Sequence, residues 1–235
     1  MRTPYLDVLK RIKPFEFKPG ITSFLNPHSF NLIIDDQSTI DGIDQWYVDG
    51  ISLVQLNNLL MPNKIQRFSF DETSLASFVF NKAKELNLKI ALIGTKEELI
   101  AAAAKKIELK YNIEIEYYRN GYFSTPEEYE KAFKLINEKK INLIICGMGT
   151  PKQESFLINL KKTGWTGYGF TCGGFLHQIS DSTDYYPSFY DKLEIRWLYR
   201  IFKEPKLIKR YAILYPKFFI KILSEFTRQQ LTLYK

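Results

Sequence analysis

An aspartate, an asparagine and a set of glycines are the residues of this sequence whose type and spacing suit chemistry. Asp49 follows the apolar run Trp46-Tyr47-Val48 and precedes Gly50. A carboxylate at a strand end can take a proton from a hydroxyl, although Asp-Gly is equally a tight-turn signal. Asp35, Asp36, Asp41 and Asp44 lie nearby in a polar stretch expected to be a solvated loop. Asn26 precedes Pro27, where its carboxamide can meet a polar ligand or close an Asx turn onto the backbone. The longest motif is Cys146-Gly147-Met148-Gly149-Thr150-Pro151-Lys152-Gln153-Glu154. It reads as a glycine-rich turn leaving a buried strand and opening a helix, with Thr150 at the N-cap, Pro151 in the first turn and Gln153 closing a capping box. Free N–H groups at such a helix start suit a phosphate or sugar. The same motif also makes an ordinary strand-to-helix turn.

The elements that must position these residues alternate. The pattern predicts a helix over 51–60, strands over 89–93, 113–117, 141–146 and 166–170, and helices over 97–111, 126–138 and 151–161. This is the rhythm of an α/β, Rossmann-like parallel sheet with helices on both faces, which brings ligands to the carboxyl ends of its strands. Gly94, Gly121 with Tyr122, Gly149 and the Gly173-Gly174 pair all fall at such ends. Glycines there allow close backbone approach, and Tyr122 is either a stacking platform or a core plug.

With 45% apolar residues in 235, the chain can bury a full core. Cys146 and Cys172 make no metal or redox spacing and read as small reduced core residues, and His28 and His177 form no ligand pattern with them, so no metal is expected. No run resembles a signal peptide or a membrane span, which points to a cytoplasmic protein. Charge is uneven. Residues 196–235 hold 10 basic against 2 acidic residues, whereas the first 195 hold 23 against 24. Aromatic residues interleave with the basic ones, as in an amphipathic appendage at an anionic membrane surface. A basic face packed on its own domain reads equally from these residues, because Pro205 and Pro216 interrupt a single long helix. The pattern divides the chain into a Rossmann-like domain over 1–190 and a basic helical C-terminal appendage over 191–235.

Taken in order, Asn26-Pro27, Asp49-Gly50, Ile93-Gly94, Gly121-Tyr122-Phe123, the motif 147–154, Gly173-Gly174-Phe175, Trp197-Leu198-Tyr199-Arg200, Lys203-Glu204-Pro205 and Lys209-Arg210-Tyr211 resemble the WecG/TagA/CpsF bacterial glycosyltransferases, glycosyltransferase family 26. The resemblance implies an inverting, metal-independent transfer of a hexose or N-acetylhexosamine, such as N-acetylmannosamine, from a UDP-sugar to a polyprenyl-diphosphate-linked saccharide. Such a reaction builds capsule, exopolysaccharide, O-antigen or teichoic acid on the inner face of the plasma membrane. It further implies Asp49 as general base, Asn26 and Gln153 as contacts to substrate, Gly94, Gly121 and Gly149 as backbone allowances near the nucleotide, Tyr122 as a platform for uracil, and Arg200 and Arg210 as cations for a diphosphate or lipid headgroups. It implies no nucleic-acid partner and is compatible with a homo-oligomer. The sequence departs from the commonest pattern at Tyr185-Tyr186-Pro187, where an arginine-alanine-proline motif is frequent, at Arg196 and at Phe175-Leu176. These departures mark a divergent subgroup with its own sugar or acceptor. A non-catalytic nucleotide- or nucleic-acid-binding protein is the alternative from another class, and a dinucleotide oxidoreductase is disfavoured because Gly94-Thr95-Lys96 lacks the G-x-G-x-x-G fingerprint.

Overall fold

The computed structural model of the chain describes residues 4–181 and 208–233. Six strands, β1 (Gly20–Leu25), β2 (Gln45–Val48), β3 (Ile90–Gly94), β4 (Ile115–Arg119), β5 (Leu143–Gly147) and β6 (Tyr168–Thr171), form one sheet in the order β2-β1-β6-β5-β3-β4. Every pairing is parallel, as the alternation of strands and helices predicts. The chain winds outward from β1 to β2 and, on the other side, from β3 to β4. The central strands β5 and β6 fill the place where direction reverses, and the crevice above such a reversal is where α/β sheets take ligands.

Alternation along each strand divides the core in two. Ile21, Leu25, Ile93, Ile144 and Cys146 face one cluster, built with α1 (Pro4–Leu9), α2 (Pro27–Ile33), α3 (Gln37–Gly42), α4 (Ile51–Leu60), α7 (Pro126–Glu138) and α8 (Lys152–Lys162). Phe24, Leu92, Leu143, Ile145 and Phe170 face the other, built with α5 (Leu75–Glu85), α6 (Glu97–Tyr111) and α9 (Phe175–Asp181). Both faces are thereby covered, as an all-parallel sheet requires.

Several boundaries shift from expectation. The strand expected at 113 begins at Ile115 because α6 ends on Asn112 in the left-handed region (φ 51°), and Ile113 N–H still donates to Glu108 O. The strand expected at 141 begins at Leu143 because Ile141 N–H closes back onto Ile136 O. The polar stretch expected as a solvated loop contains α3, whose N-cap Asp36 accepts from Thr39 N–H at 3.1 Å. Asp41 pairs with Arg11 at 2.6 Å, and Asp44 holds both Ile21 N–H and Lys161. Those carboxylates are occupied in fixing local structure.

The last helix, α10 (Tyr215–Leu233), runs through Pro216. A π-helical turn over Arg210–Leu214 precedes it, with Tyr215 N–H donating to Arg210 O five residues back. That widened turn and the place of Pro216 in the first turn of α10 remove the expected break. The inner stripe of α10, Phe218, Ile222 and Glu225, is buried against α1 and α2. Phe218 packs edge-on to Tyr5 and tilted to Phe30, and the Glu225 carboxylate accepts from Tyr5 and Leu6 N–H at 3.1 and 3.3 Å. The outer face exposes Lys217, Lys221 and Arg228 beside Ile220, Leu223 and Leu231. Among the described residues no helix is long and apolar enough to cross a membrane. The boundary expected at 190/191 lies outside the described residues.

Candidate functional site

The site assembles along the carboxyl edge of the sheet. Leu25 pairs with Val48 in register, so Asn26 and Asp49 leave neighbouring strands side by side, and Asp49 N–H donates to Leu25 O at 2.8 Å. Gly50 closes the approach: a Cβ there would lie 3.6 Å from Pro27 Cδ and 3.8 Å from Asn26 Cβ. Asn26 caps α2 in a capping box. Its Oδ1 accepts from His28 and Ser29 N–H at 3.0 Å each, and its own N–H donates to Ser29 Oγ. The Asx closure read from the sequence therefore exists, while Nδ2 has no acceptor among the described residues.

Sequence reasoning missed Arg67. Phe68 N–H donates to Val48 O, and a bridge between Val48 and Arg67 lays this segment along the end of β2. Arg67 Nη2 stands 2.9 Å from Asp49 Oδ1, 2.9 Å from Ser69 Oγ and 3.5 Å from Asp71 Oδ2. Burial opposes the guanidinium charge, but Asp49 and Asp71 outweigh it and push the pKa of Arg67 further up. Asp49 Oδ2 has no hydrogen-bond partner among the described residues, and the side chain is 37% exposed. One oxygen is thus fixed and the other stays open. The signal for Arg67 was the strand-like alternation Arg67-Phe68-Ser69-Phe70, which no spacing rule ties to Asp49.

Across the crevice the glycines pack backbone on backbone. Gly94 pairs with Gly147 in register, and a Cβ on Gly94 (φ 152°) would lie 2.5 Å from Gly147 O. Gly121 abuts Gly94, its N–H donating to Thr95 O. Gly149 (φ 76°) differs, because nothing lies within 4 Å of where its Cβ would be. Its glycine serves backbone conformation, and the space before it is open. Tyr122 is 64% exposed, which removes the core-plug alternative; Phe123 goes inward instead, stacked on Tyr129 at 4.0 Å.

The capping box expected at Thr150 and Gln153 does not form. Helix α8 starts at Lys152 with no side-chain cap, and Gln153 N–H donates to Gly149 O, so the N–H that Thr150 would cap is already taken. Gln153 is 4% exposed; its Oε1 accepts from Gly173 N–H at 3.2 Å and its Nε2 donates to Thr150 Oγ1 and Glu154 Oε1. It links the turn after β5 to the turn after β6.

Arg210 begins the π-helical turn beside α2. Burial lowers the pKa of His28, and the charge of Arg210 lowers it further, which sets this guanidinium near the α2 turn that Asn26 caps. Arg200, with the Trp197-Leu198-Tyr199 and Tyr185-Tyr186-Pro187 motifs, lies outside the described residues. Cys146 and Cys172 are free and buried. Among the described residues no group of three His, Cys, Asp or Glu side chains is arranged to hold a metal.

A model of the family described as Glycosyl transferase WecG/TagA/CpsF family matches residues 5–232. A Shigella boydii protein named UDP-Gal:alpha-D-GlcNAc-diphosphoundecaprenol beta-1,4-galactosyltransferase is 38% identical over 225 residues, spanning 95% of this chain and 93% of the relative.

Proposed function

This chain belongs to the WecG/TagA/CpsF family and is a glycosyltransferase, and from that premise we propose that it moves a hexose or N-acetylhexosamine from a UDP-sugar to a polyprenyl-diphosphate-linked saccharide, with inversion and without a metal. Galactose is the first donor sugar to try, because the relative's name carries it, and a GlcNAc-diphosphate lipid is the first acceptor. The observation that supports this reading most is Asp49, tethered through Oδ1 by Arg67, with Oδ2 open at the sheet edge beside Asn26.

In the proposed reaction the acceptor hydroxyl oxygen bonds to the anomeric carbon as the bond from that carbon to UDP breaks. The hydroxyl proton passes to Asp49 Oδ2, and UDP leaves with the bonding electron pair. One displacement inverts the centre. Asn26 Nδ2 would donate to a sugar hydroxyl. The open backbone at Gly149 and the start of α8 suit the diphosphate, and Arg210 and Arg200 supply positive charge to it or to lipid headgroups. Tyr122 offers an exposed ring to uracil. The basic, partly apolar outer face of α10 suits an anionic membrane surface, which would bring the cleft to an acceptor that stays in the bilayer.

The deciding experiment incubates the protein with UDP-galactose, UDP-glucose, UDP-N-acetylglucosamine and UDP-N-acetylmannosamine, each with a short-chain polyprenyl-diphosphate GlcNAc acceptor. UDP release and product mass are followed with and without chelator. We expect acceptor-dependent release with one donor and a product heavier by one glycosyl residue, at a rate chelation leaves unchanged. Release with no donor would end the transfer reading, and loss on chelation would end the metal-free part of it.

A further inference from the structure

Beneath the glycine-rich turns, on the α8 face of the sheet, runs a polar chain in apolar surroundings. Cys146 and Thr171 are paired in register, and Thr171 Oγ1 donates to Ser23 Oγ on β1 at 3.0 Å. Over them lies Glu154 from the first turn of α8, 1% exposed. Its Oε1 accepts from Ser23 Oγ at 2.9 Å, from Thr150 Oγ1 at 3.1 Å and from Gln153 Nε2 at 3.1 Å. Its Oε2 is buried with no hydrogen-bond partner among the described residues. The proton transfer to Asp49 makes no use of this group.

Glu154 fixes which way Gln153 faces. Oε1 only accepts, so the Gln153 amide must present Nε2 to it and turn its carbonyl to Gly173 N–H. Flipping that amide would set two acceptors together and strand the Gly173 N–H. The turns after β5 and β6, each with a left-handed glycine facing open space, are joined through this single side chain. Burial raises the pKa of the Glu154 carboxyl in spite of the three donors.

We propose that Glu154 is a positioning residue for sugar transfer, the acceptor that holds the Thr150 hydroxyl, the Gln153 carboxamide and, through Gln153, the Gly173 amide in place around the open cleft. The proposal rests on the reading above that this cleft takes a UDP-sugar. Glu154 itself touches no substrate. Its role requires a hydrogen-bond acceptor and no negative charge.

Glu154→Gln keeps that acceptor and Glu154→Ala removes it. At a temperature where circular dichroism finds both variants folded, we expect Glu154→Gln to keep at least a third of the kcat and Glu154→Ala to lose tenfold or more, with KM for the UDP-sugar moving less than threefold. Amide hydrogen exchange supplies a readout that needs no activity: protection at Gly173 should drop at least tenfold in Glu154→Ala and persist in Glu154→Gln. An undiminished kcat or unaltered Gly173 protection in Glu154→Ala would overturn the proposal. So would Glu154→Gln failing as badly as Glu154→Ala, since the charge would then matter. If wild-type protein turns over no UDP-sugar, the transfer reading falls while hydrogen exchange still decides on Glu154. Should Glu154→Ala not fold, Ser23→Ala and Thr150→Val each remove one donor and should each lower kcat and Gly173 protection about threefold or more; wild-type values in both would reject the idea.

Discussion

Arg67 Nη2 stands 2.9 Å from Asp49 Oδ1 and 3.5 Å from Asp71 Oδ2, so one guanidinium serves two carboxylates at the end of β2. Held this way, Asp49 keeps one oxygen in its ion pair and the other open at the sheet edge. Asp49→Asn preserves shape and loses the proton acceptor. It should lower kcat by about 10²–10⁴-fold while leaving the melting temperature and UDP binding near wild type. Arg67→Ala should act differently, because it leaves Asp49 and Asp71 facing each other without a counter-charge. We expect roughly tenfold lower kcat and a destabilisation of about 1–2 kcal/mol, discounted for the partial exposure of both partners. Steady-state kinetics and urea unfolding check the pair. Wild-type turnover in Asp49→Asn would remove the base from the mechanism.

The glycines at the sheet edge should separate stability from activity. Gly94→Ala drives a methyl into Gly147 O and strains a φ of 152°, and should cost about 3 kcal/mol in urea unfolding. Gly149→Ala meets no atom within 4 Å. Its stability cost should stay near 1–2 kcal/mol from positive φ alone, while its methyl occupies the proposed diphosphate space. Its KM for the UDP-sugar should therefore rise by more than its stability falls. Equal KM in Gly149→Ala and wild type would put the donor elsewhere.

The two faces of α10 make opposite predictions. Phe218→Ala empties a fully buried site and should cost about 3–5 kcal/mol. The charge reversals Lys217→Glu and Lys221→Glu together alter exposed positions and should leave the unfolding midpoint nearly unchanged. At about 1 kcal/mol per basic residue near an anionic surface, they should lower partition onto anionic vesicles tenfold or more. Undiminished partition in a sedimentation assay would dissociate this helix from membrane binding.

Glu154 gives the protein a pH signature. Its folded pKa lies above the ordinary 4.5, so its contribution to stability is complete below pH 4.5 and is lost as pH rises through the folded value. Glutamine cannot ionise. The unfolding free energy of Glu154→Gln minus that of wild type should therefore climb as pH increases above 4.5 and then level off, by about 1.4 kcal/mol for each pH unit of elevation. Cys146 and Cys172, whose thiols burial also pushes up, titrate above this pH window in both proteins and do not enter the difference. A flat difference between pH 4 and 8 would mean that folding leaves the Glu154 pKa at its ordinary value.

Much of this architecture was legible because local patterning and tertiary demand agree. Helices over 97–111 and 126–138 stand where periodicity places them, with acidic residues in their first turns. Strand β1 carries no alternation signal in the sequence, because Gly20–Leu25 is buried along nearly its whole length. Helix α5 escapes the sequence reading although Leu75, Ala76, Val79, Phe80 and Ala83 recur at helical spacing behind Ser74. In the site, Asp49 was legible as a strand-end residue and Asn26 as an Asx turn before Pro27, but their adjacency comes from the β1–β2 register, which no local signal encodes. Arg67 stayed hidden for the same reason. Thr150 and Gln153 were legible as polar residues at a helix start and misleading as a cap. The Gly149 carbonyl had already taken the N–H that a cap would satisfy.

The clasp between Glu225 and the first turn of α1 ties the two described ends of the chain together. Helix α10 cannot pivot like a tethered float without uncapping α1 and lifting Phe218 off α2, the helix that Asn26 starts. Were its outer side seated on lipid, the cleft would hang at a set height and tilt above the bilayer. Which hydroxyl of a lipid-borne glycan comes within range would then be decided by the length of that glycan, measured from the membrane upward as though against a fixed ruler.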